Sequence, residues 1–147
     1  MVNNLLVVCT GNICRSPMAE ALFAVRAKET DEPFQVASAG IGALIGFPPP
    51  DKAIELMSEK GMDISGHRAR QITEPMARQY DLILVMEIEQ KFYLEDRWSW
   101  LRGRVHRLCE HQGIDVMDPY RRSKKVFMES FGQIEQGFGK WSEMLFK

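Results

Sequence analysis

The sequence lacks a surplus of either charge. Its 147 residues include 19 Lys and Arg against 20 Asp and Glu, a formal net charge of −1. That balance removes the broad basic footprint of a general nucleic-acid binder, so no nucleic-acid partner is expected. No run approaches the ~18 apolar residues that span a bilayer. The first apolar run, Leu5 to Cys9, is shorter than a secretory signal core of about 7–15 residues and has no basic leader. A cytoplasmic protein, not itself embedded in a membrane, is expected. Cysteine is scarce, and three is an odd number, which argues for reduced thiols rather than a disulfide framework. With 45% hydrophobic residues the chain is not of the disordered class. Its length predicts one domain over residues 1–147.

What is present is an alternation of strands and helices. Asn4 to Cys9 reads as a parallel strand buried on both faces, because it is continuously apolar rather than alternating. It breaks at Thr10-Gly11-Asn12, and a helix is predicted to start at Ser16 as N-cap, with Pro17 in the first turn. Phe34 to Ser38 reads as a second strand. The stiff Gly46-to-Pro50 loop then leads to a helix capped by Asp51, running through Met57 and stopping at Gly61. Further predicted elements are a helix over Thr73–Gln79, a strand over Asp81–Met86, a helix over Glu87–Asp96 and a strand over Arg104–Leu108. A long amphipathic helix over Val126–Phe146 completes the chain, interrupted by Gly132, Gly137 and Gly139. This order predicts an α/β three-layer sandwich: a central parallel four-stranded sheet with helices on both faces. The functional crevice of such a fold lies beyond the carboxyl ends of the strands, and Cys9 sits at one of them.

Five residues separate Cys9 from Arg15 in Cys9-Thr10-Gly11-Asn12-Ile13-Cys14-Arg15-Ser16. That is enough chain to wrap main-chain N–H groups around an anion, and Gly11 and Asn12 tolerate the positive φ that such a nest requires. The following helix N-terminus adds partial positive charge, and Arg15 offers a planar fork for two phosphate oxygens. The same field favours the ionised form of a thiol, so Cys9 is expected to be a thiolate at neutral pH. A nucleophile and a phosphate cradle in one loop point to a covalent phosphocysteine, with Ser16 hydrogen-bonded to the sulfur. Cys-x5-Arg followed by Ser or Thr arises by chance in roughly one chain in 60 of this composition.

Val8 to Pro17 resembles the active-site loop of low-molecular-weight protein tyrosine phosphatases. Ser38-Ala39-Gly40, Ser65-Gly66-His67-Arg68-Ala69-Arg70, Asp81-Leu82-Ile83 and Asp118-Pro119-Tyr120-Arg121 fall where that family has similar segments. The last three look most like the bacterial branch, which acts on tyrosine autokinases controlling capsule or exopolysaccharide export. The resemblance implies metal-independent hydrolysis of protein phosphotyrosine, with no cofactor, by a monomer or weak dimer whose partner is a membrane tyrosine autokinase. It implies Cys9 as nucleophile, Arg15 as phosphate ligand and Asp118 as general acid and later base. Thr10, Gly11, Asn12, Ile13 and Cys14 would hold the phosphate, with Tyr120 as an aromatic wall. Leu44 and Phe47 belong to the loop that shapes the mouth. Ser16, Ser38 and His67, with Asn12, would support the loop, and Cys14 would pair with Cys9 under oxidation.

From the residues alone several readings compete. An Asp before Pro is commonly a turn former, and Asp115 is the nearest rival to Asp118. Cys109 reads as buried. Cys9, Cys14, His106, Cys109 and His111 have zinc-ligand chemistry, but an anion nest is a poor cation site and the spacings match no zinc pattern, so no metal is expected. A thioredoxin-coupled arsenate reductase would need further cysteines on a mobile segment after the third strand, and Met86 to Gly103 has none. A phosphate-binding or phosphocarrier domain would not need a loop arginine together with an Asp-Pro-Tyr acid.

Overall fold

The computed structural model describes residues 1–146. Four strands, β1 (Asn4–Cys9), β2 (Gln35–Gly40), β3 (Leu82–Val85) and β4 (Val105–Arg107), form one parallel sheet in the order β2-β1-β3-β4. Five helices connect them: α1 (Arg15–Lys28), α2 (Asp51–Glu59), α3 (Glu74–Gln79), α4 (Ile88–Arg97) and α5 (Lys124–Leu145). The central position of β1 explains its unbroken apolar run, since Leu5, Leu6, Val7 and Val8 are all fully buried. Leu5 and Val7 face a core shared with Met18 and Phe23 of α1, Met57 of α2 and Phe127, Phe131 and Ile134 of α5. Leu6 and Val8 face the opposite core, with Ala77 of α3 and Leu94 of α4. The pleat thus sends alternate side chains of one strand into two helical layers, which is the predicted three-layer sandwich.

Several ends differ from the sequence reading. Helix α1 begins at Arg15 with Cys14 at its N-cap and no side-chain cap bond, because the Ser16 hydroxyl is used elsewhere. Asp51 is the first residue of α2 rather than its cap, and Pro50 stands before it. There the carboxylate serves the helix dipole instead of an N–H. Strand β2 runs on to Gly40, whose partner across the sheet is Cys9. Helix α5 starts two residues before Val126, where the Ser123 side chain accepts from Val126 N. It runs through all three of its glycines. A Cβ on Gly137 would lie 2.7 Å from Leu108 O, so this glycine lets α5 approach the end of β4.

The carboxyl ends of β1 and β3 point the same way, and the loops that follow them meet. This is where Cys9, Glu87 and Asp118 converge.

Candidate active site

The segment after β1 is a closed cradle. Its carbonyls are drawn outward by a neighbouring strip of main chain: Ile41 N–H donates to Cys9 O (3.0 Å), Gly42 N–H to Thr10 O (2.9 Å) and Leu44 N–H to Gly11 O (3.1 Å). Turning the carbonyls out leaves the loop's N–H groups free to face in. Strand β2 approaches so closely that a Cβ on Gly40 would lie 2.6 Å from Thr10 O. The Asn12 N–H points at Cys9 Sγ, 3.3 Å away.

Asn12 holds the cradle's curvature, with φ at 58° and the residue fully buried. A non-glycine residue in that region carries strain of roughly 1–2 kcal/mol, offset by its bonds. Its Oδ1 accepts from Arg70 N (2.9 Å), and its Nδ2 donates to Ser16 Oγ (2.8 Å) and Ser38 Oγ (3.0 Å). His67 Nε2 lies 2.7 Å from Asn12 O, and Ser38 Oγ donates to Glu20 Oε1 (2.5 Å). The Ser16 hydroxyl, which accepts from Asn12 Nδ2, lies 3.0 Å from Cys9 Sγ, where it can donate its proton to an ionised sulfur. An ionised sulfur in this place is met by two donors, the Ser16 hydroxyl and the Asn12 N–H.

Arg15 is buried and aimed. Its Nη1 donates to Glu87 Oε2 (2.6 Å) and to Val116 O (2.8 Å). Nη2 lies 3.9 Å from Asp118 Oδ2, and no partner engages Nε among the described residues. With Nη1 occupied on the far side, the Nε–Nη2 edge is left to receive an oxyanion. Gln90 ties α4 to the cradle: its Oε1 accepts from Met86 N and Glu87 N, and its Nε2 donates to Thr10 Oγ1 (3.0 Å).

The cradle forms the floor of a pocket of about 210 Å³ lined by Cys9, Thr10, Gly11, Ile13, Cys14, Arg15, Gly42, Leu44, Asp118 and Tyr120. Asp118 stands half-exposed at the rim, and its Oδ1 accepts from Tyr120 N (3.1 Å). Asp115, the rival carboxylate, is engaged otherwise: its Oδ1 accepts from Ile88 N (3.0 Å) and Arg107 Nη1 (3.1 Å). Burial, reinforced by the negative charges of Cys9 and Asp118, pushes the Cys14 thiol up to about 12, against the opposing pull of Arg15. Cys14 is thus a protonated thiol beside the sulfur that receives the donors.

Most residues singled out in the sequence meet here. The others take a second role or lie apart. Asn12 turns its main-chain N–H toward Cys9 Sγ on the floor, while its side chain acts from behind the wall. Phe47 is exposed and outside the lining. Cys109 is buried, with its Sγ on Gln133 O (3.2 Å), and His106 and His111 pack against the Trp141 ring. Among the described residues no group of three or more His, Cys, Asp or Glu is placed to hold a metal. Sequence reasoning missed Glu87, Gln90, Arg70, Glu20 and Gly42. The signal for Glu87 was its place two residues after β3, at the same carboxyl end of the sheet as Cys9.

The chain is similar to known proteins over nearly its whole length. The chain is 44% identical over 141 residues to a probable low molecular weight protein-tyrosine-phosphatase, EpsP, of Ralstonia nicotianae, covering 96% of this chain and 94% of that protein. The structure of Vibrio vulnificus Wzb in complex with benzylphosphonate superposes with a TM-score of 0.91 at 37% identity, covering 99% and 100% of the two chains. That of YwlE arginine phosphatase, a Bacillus subtilis protein, gives 0.90 at 31% identity and covers 98% and 96%. The family described as low molecular weight phosphotyrosine protein phosphatase matches residues 4–147, and the chain belongs to that family.

Proposed function

We propose that this protein hydrolyses phosphotyrosine in proteins through a phosphocysteine formed on Cys9. The observation that carries the reading is Cys9 Sγ set against the Ser16 hydroxyl and the Asn12 N–H at the floor of a pocket that has Asp118 on its rim. The phosphoryl group sits in the cradle, its oxygens held by the inward N–H groups and by the Nε–Nη2 edge of Arg15. Cys9 Sγ attacks phosphorus in line as the bond to the phenolic oxygen breaks, and Asp118 gives that oxygen its proton. Asp118, now a carboxylate, takes a proton from water, which attacks phosphorus. Cys9 leaves as a thiolate, stabilised by Ser16 and Asn12 N–H. Tyr120, Ile13 and Leu44 supply apolar walls for a flat ring.

Nucleophile, cation and acid are all supplied by side chains of the chain, so turnover is expected to survive chelators. The proposed substrate in the cell is a bacterial tyrosine autokinase of a capsule or exopolysaccharide system, met in the cytoplasm. Support for this comes from the resemblance of the Ser65–Arg70 and Asp118–Arg121 segments to the bacterial branch. A Cys9 sulfenic acid formed by an outside peroxide would condense with the Cys14 thiol, releasing water and leaving a disulfide that protects the nucleophile.

The test is phosphate release in EDTA from phosphotyrosine peptide and from phosphoarginine, with rapid acid quench to trap phosphate on Cys9. Hydrolysis of the tyrosine ester with label on Cys9 is expected. Preference for phosphoarginine, or label on another residue, would overturn the reading.

A further inference from the structure

Arg121 occupies a backbone position that suits it badly. Arg122 N–H donates to Pro119 O (2.9 Å), closing a turn in which Arg121 is the third residue with φ at 62°. Turns of this geometry take Gly or Asn there, because a Cβ is strained by roughly 1–2 kcal/mol. Among the described residues only Asn12 and Arg121 are non-glycine residues with positive φ, one in the cradle and the other next to the wall residue Tyr120. Asn12 is held by buried hydrogen bonds. Nothing comparable holds Arg121: among the described residues its guanidinium meets no carboxylate, and it lies over the Tyr120 ring, 5.2 Å from the centroid.

Tyr120 is a shared wall. Behind it lies a second hollow of about 220 Å³, lined by Pro50, Lys52, Tyr120, Arg121, Arg122 and Phe127, with Asp51 as its one acidic residue. The neighbouring cations are already engaged, Lys52 on Arg122 O (2.8 Å) and Lys124 between Glu55 and Glu59. Arg121 and Arg122 are exposed and without an ion pair among the described residues. A peptide whose phosphotyrosine fills the first pocket would carry its neighbouring residues across Tyr120 toward these two guanidinium groups.

We propose that Arg121, assisted by Arg122, is a specificity-determining residue that receives the carboxylate of an Asp or Glu next to the phosphotyrosine of a protein substrate. The inference rests on the function proposed above. A guanidinium fork matches a carboxylate, and the strained backbone is the means by which the fork is brought to the rim.

The experiment compares kcat/KM for two phosphotyrosine peptides, one with Glu at both positions beside the phosphotyrosine and one with Gln there. Wild type is expected to favour the Glu peptide by about fivefold, less at high salt. Arg121→Gln keeps the length of the side chain without its charge and should bring the ratio close to one. Lys125→Gln removes a nearby charge outside the hollow and should leave the ratio as in wild type. A wild-type ratio near one, a preference that survives Arg121→Gln, or an equal loss in Lys125→Gln would overturn the proposal while phosphotyrosine hydrolysis stands. Cleavage of neither peptide would overturn the functional reading, and this inference with it.

Discussion

The two halves of the site are built in opposite ways. The cradle is buried at Cys9 and from Asn12 to Arg15, and one residue, Asn12, bonds to Ser16, Ser38, His67 and Arg70. The loop carrying Asp118 is exposed, and the carboxylate has one main-chain bond and a 3.9 Å approach to Arg15. The difference suits the proposed chemistry. A phosphoryl group keeps nearly the same place through both steps, so fixed donors serve it throughout. The proton donor must meet a leaving phenol first and a water second, and a loosely held carboxylate can serve both.

The largest expected effect tests the rigid half. Cys9→Ser should abolish turnover yet still bind vanadate, measured by calorimetry, because the N–H groups and Arg15 remain. Arg15→Lys should lose binding as well, since a point charge cannot replace the fork. Residual turnover in Cys9→Ser near the wild-type level would end the thiol mechanism.

Next comes the exposed half. Tyrosine leaves with a pKa near ~10, and positioned acid catalysis is worth about 10²–10⁴-fold. Asp118→Ala should therefore cost most with phosphotyrosine and progressively less with aryl phosphates of more acidic phenols, in single-turnover cleavage. Asp115→Ala should leave that dependence alone. A uniform loss across leaving groups would reduce Asp118 to a loop-shaping residue.

Asn12 measures how far the cradle depends on its supports. Asn12→Ala removes buried bonds and keeps the strain, so urea unfolding should show a loss of about 2–4 kcal/mol, and kcat/KM should fall roughly 10²-fold. Asn12→Gly should recover about 1 kcal/mol, because glycine relieves the positive φ. Equal stability of the two variants would show that the backbone there is not strained.

The smallest effect is alkaline. The Cys14 thiol is raised in the fold from 9.0 to about 12, so its stabilising contribution is complete below pH 9 and is lost as pH rises toward 12. At pH 10 the unfolded chain has already lost that proton, which costs the folded state about 1.4 kcal/mol. Replacing Cys14 with Ser should flatten the fall of stability between pH 8 and 10 by about that amount. No change in slope would place the thiol in a more polar setting than its burial implies.

Much of this was legible because the informative residues are contiguous. The apolar run of β1, the spacing of Cys9 and Arg15, and Gly11-Asn12 lie within a dozen residues, and local rules join them. Ser16 misled because a Ser-Pro pair at a helix start is a strong capping signal, whereas its hydroxyl is taken by Cys9 and Asn12. Gln90 was invisible and Glu87 was marked only by its place after β3, because their roles exist only when β3 lies beside β1. Helix α5 persisted through three glycines because Phe127, Phe131, Ile134 and Trp141 bury along one face, and tertiary packing outweighs propensity.

The ties between the mouth and the cradle are made by main-chain N–H groups of Ile41, Gly42 and Leu44. Every amino acid except proline carries that donor. A Cβ at position 42 would meet Thr10 only at 4.0 Å, so even this glycine is not sterically demanded. The rim can therefore be rewritten by drift or by a randomised library while the catalytic floor keeps its shape. Relatives can diverge in what they admit without relearning how to cleave it, with proline as the one substitution that removes a tie.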